Sequence, residues 1–350
     1  TSLKDLLSFG LNKLAPTTKS TQSFNNKFGV PLSLFNVKKN DKFAVLEVGM
    51  DKIGEINDLT KIIRPNIGVI TNISYAHIKN FKNLTQIAHA KSEIMNNIVK
   101  EGKIVLNQDD YYFNFLKKIA LKKNLNIISF SKKNSYSDVF IKKIQSTQNS
   151  CKVFISIKNI TKRFIIKKNL YPYLYNILAS LAVISTFYDL KNIDEKLFYN
   201  FKIPISRGEQ IKIKLNNKII YLTDESYNSN PLSLKFAIEN FNNQTKNNKY
   251  LILGDMLELG KFSKILHKKI SKIINKTSIK KVYVIGKHIK ETFYAIDRKK
   301  RGRILRDKNE IYQLIKNDLN NNDHLMIKAS NSTGLNSVAA NIKKGKIYAI

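Results

Sequence analysis

The sequence predicts an α/β protein made of two parallel-sheet units, and three observations carry that reading. Strand-like and helix-like segments alternate along most of the 350 residues, the pattern of a parallel sheet with crossover helices. Short apolar runs stop abruptly in polar turns. Lys218-Ile219-Ile220-Tyr221-Leu222 leads to Asp224-Glu225-Ser226-Tyr227-Asn228-Ser229-Asn230-Pro231, and Tyr250-Leu251-Ile252-Leu253 to Gly254-Asp255-Met256-Leu257-Glu258-Leu259-Gly260. Runs of this kind read as buried strands delivering loops, and open α/β sheets bind ligands at those carboxyl ends. Finally, the pattern restarts near Pro204-Ile205-Ser206-Arg207-Gly208. That restart divides the chain into 1–205 and a smaller 206–350, each long enough for its own core.

The elements follow in order. Leu3, Leu6, Leu7, Leu11 and Leu14 repeat at helical spacing, so the chain opens on a helix. Strands are expected at 43–49, 67–72 and 103–107, and helices at 55–63, 84–99 and 110–122. Residues 125–168 hold short alternating runs such as Lys152-Val153-Phe154-Ile155-Ser156-Ile157, which suit antiparallel strands at a sheet margin. Helices resume at 172–188 and 193–200. Beyond the boundary, strands are expected at 218–223, 249–254, 281–286 and 324–328, with helical segments between them.

Composition narrows the function classes. Hydrophobic residues make up 43% of the chain, ordinary for a globular protein. No apolar run approaches the roughly 20 residues of a membrane span. The first residues, Thr1-Ser2-Leu3-Lys4-Asp5, lack the order of a signal peptide. A single cysteine, Cys151, excludes an internal disulfide and a multi-cysteine metal site. A cytoplasmic protein is expected. Sixty-one Lys and Arg against 26 acids leave a net charge of +35. The basic residues are spread along the chain among Asn, Ile, Tyr and Phe, so the charge reads as compositional and no specific nucleic-acid partner is expected. The densest run, Arg298-Lys299-Lys300-Arg301-Gly302-Arg303, reads as a solvated turn.

Several residues stand out chemically. Glu47 lies in an otherwise apolar run, where a lone carboxylate is expensive unless compensated; it is either compensated there or reaches solvent at a strand end. His77 follows Thr71-Asn72-Ile73-Ser74-Tyr75-Ala76, a loop leaving a strand, and a single His in such a place is a ligand or a packed side chain. Lys91, in Ala90-Lys91-Ser92-Glu93-Ile94, is a helical lysine, either solvated or functional. Asn228-Ser229-Asn230-Pro231 suits the capping of a following helix as well as a binding loop.

By residue order, Asp-Glu-Ser-Tyr-Asn-Ser-Asn-Pro and Gly-Asp-Met-Leu-Glu-Leu-Gly resemble the Mur ligases, ATP-dependent amide-bond formers of peptidoglycan synthesis. Within them the likeness is to the branch that joins D-alanyl-D-alanine to UDP-N-acetylmuramoyl-tripeptide, and it runs along nearly the whole chain. It implies a P-loop-type central ATPase domain over 1–205 and a Rossmann-like C-terminal ligase domain over 206–350. It further implies that most of the P-loop and the N-terminal UDP-sugar domain are absent from this sequence, that the chain alone lacks ligase activity, and that it is a monomer.

The resemblance also assigns roles. Thr1 and Ser2 look like the pair after the P-loop lysine, with Thr1 as a magnesium ligand. Glu47 would help hold that magnesium, and His77 would serve a second. Lys91 would be carbamylated, its new anion supporting the second ion beside Glu47 and His77. Arg207 would reach ATP phosphate, Asp224 and Glu225 the ribose, and Asn228 and Asn230 the adenine. Phe24-Asn25-Asn26-Lys27-Phe28-Gly29-Val30-Pro31 resembles a segment whose Asn25 and Asn26 line the substrate side, with Thr71, Asn72, Lys328 and Asn331 further substrate contacts. His267 falls at a family-like position, and Ala329 stands where a Gly is common. ATP and Mg2+ are the implied cofactors. A sister ligase adding another amino acid or building folylpolyglutamate, and a non-catalytic nucleotide- or nucleic-acid-binding remnant, are the alternatives.

Overall fold

The computed structural model describes residues 1–215, 218–244 and 247–345. The chain divides into two compact units. The first comprises Thr1–Ile73 and Phe81–Lys202; the second takes Ser74–Asn80 together with the chain from Ile203 onward.

The first unit opens with helix α1 (Ser2–Asn12), which buries Leu6, Leu7 and Leu11 as the leucine spacing requires. A two-stranded parallel ribbon follows, β1 (Thr17–Lys19) pairing with β2 (Phe43–Val45), with the short α2 (Gly29–Phe35) between them. The strand expected to run to residue 49 therefore stops at Val45. Its continuation finds a side chain instead of a strand partner: the Glu47 amide donates to Ser20 Oγ at 2.9 Å. Then come α3 (Glu55–Ile63), β3 (Ile67–Ile70), α4 (Leu84–Ser92) with a 3-10 turn after it, β4 (Lys103–Asn107), α5 (Phe113–Lys122) and β5 (Asn126–Ser131). Strands β3, β4 and β5 are parallel, and β6 (Val139–Ser146), β7 (Ser150–Ile157) and β8 (Ile160–Lys167) extend the six-stranded sheet as an antiparallel margin. Helix α6 (Leu174–Ile184) is apolar on nearly every side and packs on both the sheet and α1. The helix expected at 193–200 is a chain of turns. Asp194 caps it with its own side chain, and the backbone bonds run three residues back, Leu197 to Asp194 and Tyr199 to Lys196.

The second unit is a single six-stranded sheet in the order β13-β12-β11-β14-β10-β9. An edge strand missed in the sequence, β9 (Glu209–Leu215), runs antiparallel to β10 (Lys218–Glu225). After α7 (Pro231–Gln244), strand β11 (Lys249–Gly254) is buried throughout. It is followed by α8 (Ser263–Asn275), β12 (Lys281–Ile285), α9 (Lys290–Ala295), β13 (Arg301–Ile304), α10 (Asn309–Asn317), β14 (Asp323–Lys328) and α11 (Leu335–Lys343). Strand β14 inserts between β10 and β11. Three loops leaving adjacent carboxyl ends are thereby brought together, at 226–230, 255–260 and 329–333, where such sheets bind ligands. The basic run at 298–303 is not simply a solvated turn: Arg301 to Ile304 form an edge strand, and Lys300 is buried with its ammonium on the Thr277 and Ile279 carbonyls. Among the described residues no helix is long and apolar enough to cross a membrane.

The alanine at position 329 has a structural counterpart. A Cβ added to Gly254 would lie 2.7 Å from Ala329 Cβ and 2.9 Å from Leu335 Cδ1. The missing side chain at 254 is what admits the methyl at 329. Gly254→Ala is expected to lower stability by about 1–3 kcal/mol through overpacking, and Ala329→Gly in the same chain to recover part of it, as read by denaturant unfolding.

Candidate functional site

In the first unit Thr1 caps α1 and sets its hydroxyl against Glu47, Oγ1 donating to Oε1 at 2.9 Å. Asn25 Nδ2 donates to the same oxygen at 3.1 Å. The other oxygen, Oε2, is buried, with Lys4 Nζ at 3.8 Å. Burial pushes the Glu47 carboxyl up, while the Thr1 hydroxyl and the Lys4 ammonium pull it down. Lys4, one turn after Thr1 on α1, is buried with its ammonium on the Ser20 and Gln22 carbonyls. A buried carboxylate oxygen with spare acceptor capacity, beside a hydroxyl, is a donor set of hard oxygens that fits magnesium. The same geometry turns Asn25 inward onto Glu47. Asn26 accepts from the amides of Phe28 and Gly29 and so anchors the start of α2.

Lys91, also in the first unit, is not a solvated helix lysine. Its ammonium donates to the Asn72 carbonyl at 2.9 Å, and burial pushes its pKa down against the pull of Asp110. Asp110 in turn accepts from the amides of Ile73 and Tyr112, and Asn107 donates to the Thr71 carbonyl. Thr71 and Asn72 thus offer their backbone to the loop, and Lys91 sits on that backbone.

His77 belongs with the second unit, in the segment Ser74–Asn80. Its Nδ1 lies 2.6 Å from Glu258 Oε2, and the Lys79 amide donates to the Glu258 carbonyl at 2.9 Å. His77 and Glu258 both hold a left-handed backbone, φ 61° each, an arrangement that costs a non-glycine residue energy and collects at functional sites. Gly260, at φ 52°, lets Lys79 approach: an added Cβ would meet Lys79 Cα at 3.0 Å.

The Asp224 to Asn230 loop is laced to its neighbours. Asp224 is 1% exposed. One oxygen accepts from the Ser226 amide and hydroxyl, the other from Ser206 Oγ at 2.8 Å, with Lys343 Nζ at 2.7 Å from it. Four donors fill the acceptor sites of a carboxylate, so the ribose contact expected of Asp224 has no free oxygen to make it. Glu225, more exposed, pairs with Lys328 at 3.3 Å, and that buried lysine also holds the Asn228 carbonyl at 3.0 Å. Arg207 lies 4.0 Å over the Tyr227 ring. Asn230 caps α7, its side chain accepting from the Ser233 amide while Ser233 Oγ accepts from the Asn230 amide. Asn331 Oδ1 is held by Asn336. Ser2 begins α1.

The sequence reading passed over Lys4, Asp110, Glu258 and Lys343. Lys4 was legible in principle, lying one helical turn from Thr1; the others meet their partners only through the fold. His267 it noted without a role. The ring is fully buried, Nε2 accepting from the Met256 amide at 3.0 Å and Nδ1 donating to the Ser263 carbonyl at 2.8 Å. It therefore fixes the loop that presents Glu258, as a neutral imidazole.

Burial lowers the His267 pKa from its ordinary 6.5, more than the Ser263 carbonyl and Asp255 raise it. The folded state then binds fewer protons than the unfolded one between those two values, so stability must fall as pH drops below 6.5. His267→Asn is expected to be less stable at neutral pH and to lose stability less steeply below pH 6.5; the remaining slope belongs to groups such as His324, also lowered by burial. Denaturant unfolding at a series of pH values checks this.

Comparison with known proteins places the chain. The sequence profile of the Mur ligase middle domain matches residues 1–184, and that of the Mur ligase, glutamate ligase domain matches 207–331. The UDP-N-acetylmuramoyl-tripeptide--D-alanyl-D-alanine ligase of Buchnera aphidicola subsp. Baizongia pistaciae is 34% identical over 348 residues, 98% of this chain and 73% of that protein. The Bacillus subtilis enzyme of the same name is 27% identical over 350 residues, again 98% and 73%. Among solved structures, MurF from Acinetobacter baumannii superposes with a TM-score of 0.86 at 24% identity, covering 98% of this chain and 74% of that one. MurF from Thermotoga maritima in complex with ADP superposes with a TM-score of 0.84 at 22% identity, covering 99% and 77%. With both domain profiles matched in order and a relative 34% identical over 98% of this chain, the chain belongs to the Mur ligase family.

Proposed function

We propose that this chain belongs to an enzyme that carries out the reaction in its relatives' name, the joining of D-alanyl-D-alanine to UDP-N-acetylmuramoyl-tripeptide, with ATP as the implied cofactor, as a monomer in the cytoplasm. The reaction activates a carboxylate. An oxygen of the tripeptide's terminal carboxylate attacks the γ-phosphorus of ATP, ADP leaves, and an acyl phosphate remains. The dipeptide amine attacks the acyl carbon, the carbon–oxygen bond to phosphate breaks, and the nitrogen gives up its proton. No side-chain nucleophile is needed; the protein positions the partners and manages charge.

The observation that carries this reading is the half-buried Glu47 carboxylate with the Thr1 hydroxyl set against it. These two would hold magnesium, which when bound neutralises the charge of the ATP phosphates. Arg207, stacked on Tyr227, is the cation for phosphate. Glu225 and the Asn228–Asn230 segment remain the candidates for the nucleoside, while Asp224 shapes the loop. Lys91 would act as a carbamate. Its partly desolvated amine, with a pKa pushed down by burial, favours the neutral form that takes up carbon dioxide. The carbamate anion would supply negative charge for a second cation. Asn25, Asn26, Thr71 and Asn72 in the first unit, and Lys328 and Asn331 in the second, are the proposed substrate contacts.

In the full-length natural enzyme, Lys91→Ala should lose most ligation of D-alanyl-D-alanine and regain part of it with added short carboxylic acids. Lys91→Arg should not substitute, since guanidinium stays charged and takes up no carbon dioxide. The unsubstituted protein should show a carbamate carbon signal with labelled bicarbonate. Near-normal turnover of the Arg variant, with no such signal, would remove the second-metal reading.

The basic charge is proposed to be compositional. Titration with a mixed-sequence DNA duplex near physiological salt should find no sub-micromolar binding; tight binding with a steep salt slope would favour a nucleic-acid role.

A further inference from the structure

The proposed nucleotide loop at 224–230 depends on a residue far along the chain. Lys343 ends α11, the last helix described, and bridges two acids: its ammonium donates to Glu209 Oε2 at 2.7 Å and stands 2.7 Å from Asp224 Oδ2. Glu209 opens β9 and Asp224 lies near the end of β10. Asp224 passes the restraint on in two directions. Ser206 Oγ ties it to the segment carrying Arg207, and the Ser226 amide and hydroxyl tie it to the loop itself. The backbone repeats the stitching, with the Gly208 amide on the Asp224 carbonyl at 2.8 Å and the Tyr227 amide on the Ser206 carbonyl at 3.1 Å. Ser206 and Gly208 flank Arg207 with φ of 60° and 101°, a conformation that Ser holds only where its surroundings impose it.

We propose that Lys343 is a positioning residue for nucleotide binding: through the buried Asp224 carboxylate it keeps the Ser206–Gly208 segment and the Ser226–Asn230 loop in one register, so that Arg207 lies over Tyr227 and the last helix is part of the site. This rests on the reading of 224–230 as the nucleotide loop. A carboxylate this deeply buried needs a cation or a full set of donors, and Lys343 is the cation it has. Burial pushes the Asp224 carboxyl up, and the bonds from Lys343, Ser226 and Ser206 more than reverse this, holding it ionised. Burial likewise lowers Lys343, and Asp224 and Glu209 together raise it above its ordinary value.

The test is ADP binding by calorimetry with the magnesium salt, beside thermal unfolding, in the full-length enzyme. Lys343→Met is expected to weaken ADP by about tenfold to a hundredfold, the loss of one charged hydrogen bond. Lys343→Arg should bind near the unsubstituted level, since a cation is restored. The double variant Asp224→Asn with Lys343→Met leaves no unpaired buried charge; it should fold where Lys343→Met does poorly and bind ADP better than that single variant. ADP affinity unchanged in both Met-containing variants, whatever their stability, would overturn the proposal and leave Lys343 a structural tie alone. An unsubstituted enzyme that fails to bind ADP would overturn the nucleotide-loop reading itself.

Discussion

A carboxylate buried or half-buried at the carboxyl end of a strand must find donors for its charge, and in each unit that demand fixes the loops around it. After β4, Asp109 accepts from Ser131 Oγ, the Lys132 amide and the Tyr175 hydroxyl, joining three separate segments, while Asp110 gathers the Ile73 and Tyr112 amides. After β11, Asp255 accepts from the amides of Lys287, His288 and Ile289, and its carbonyl takes the Ser330 amide. Asp224 does the same beside β10. Each acid costs desolvation and is repaid only if the neighbouring loop adopts one conformation. Asn228, Asn230 and Glu258 stand on these loops.

Lysine serves the complementary need. Lys249, Lys300 and Lys328 are buried, as is Lys4, and each places its ammonium on backbone carbonyls. Lys249 reaches the Asn242 carbonyl in the last turn of α7, and Lys300 the Thr277 and Ile279 carbonyls just past the end of α8. Helix carboxyl ends carry unsatisfied carbonyls and a partial negative charge. Backbone carbonyls thus help a lysine-rich sequence to bury cations, alone or beside a carboxylate such as Glu225 near Lys328. Much of the +35 net charge remains on the surface, but these four lysines are structural.

The insertion of β14 between β10 and β11 governs the second unit. It brings loops distant in sequence onto one edge, where Ser330 closes the set: its hydroxyl accepts from the Leu257 amide and donates to the Ser229 carbonyl. His267 braces the same region from α8. The rigidity of the Glu258 loop, and with it the placement of His77, follows from this convergence.

Local pattern was enough for much of the chain. Apolar runs bounded by turn residues located β4 and β11 to the residue, and helical spacing located α1 and α3. Motif order singled out Glu47, Lys91, Arg207 and the two carboxyl-end loops. Strands whose existence depends on a distant partner escaped: β1, which pairs with β2, and the edge strands β9 and β13. The chemical partnerships escaped for the same reason. That Asp224 is sealed by Lys343, that Lys91 rests on the Asn72 carbonyl near Asp110, and that Glu258 faces His77 are consequences of burial and strand order. Sequence by itself determined which residues carry charge and where strands deliver them; tertiary structure decided which charges are met by which donors, because that pairing is set by packing across the fold and not by spacing along the chain.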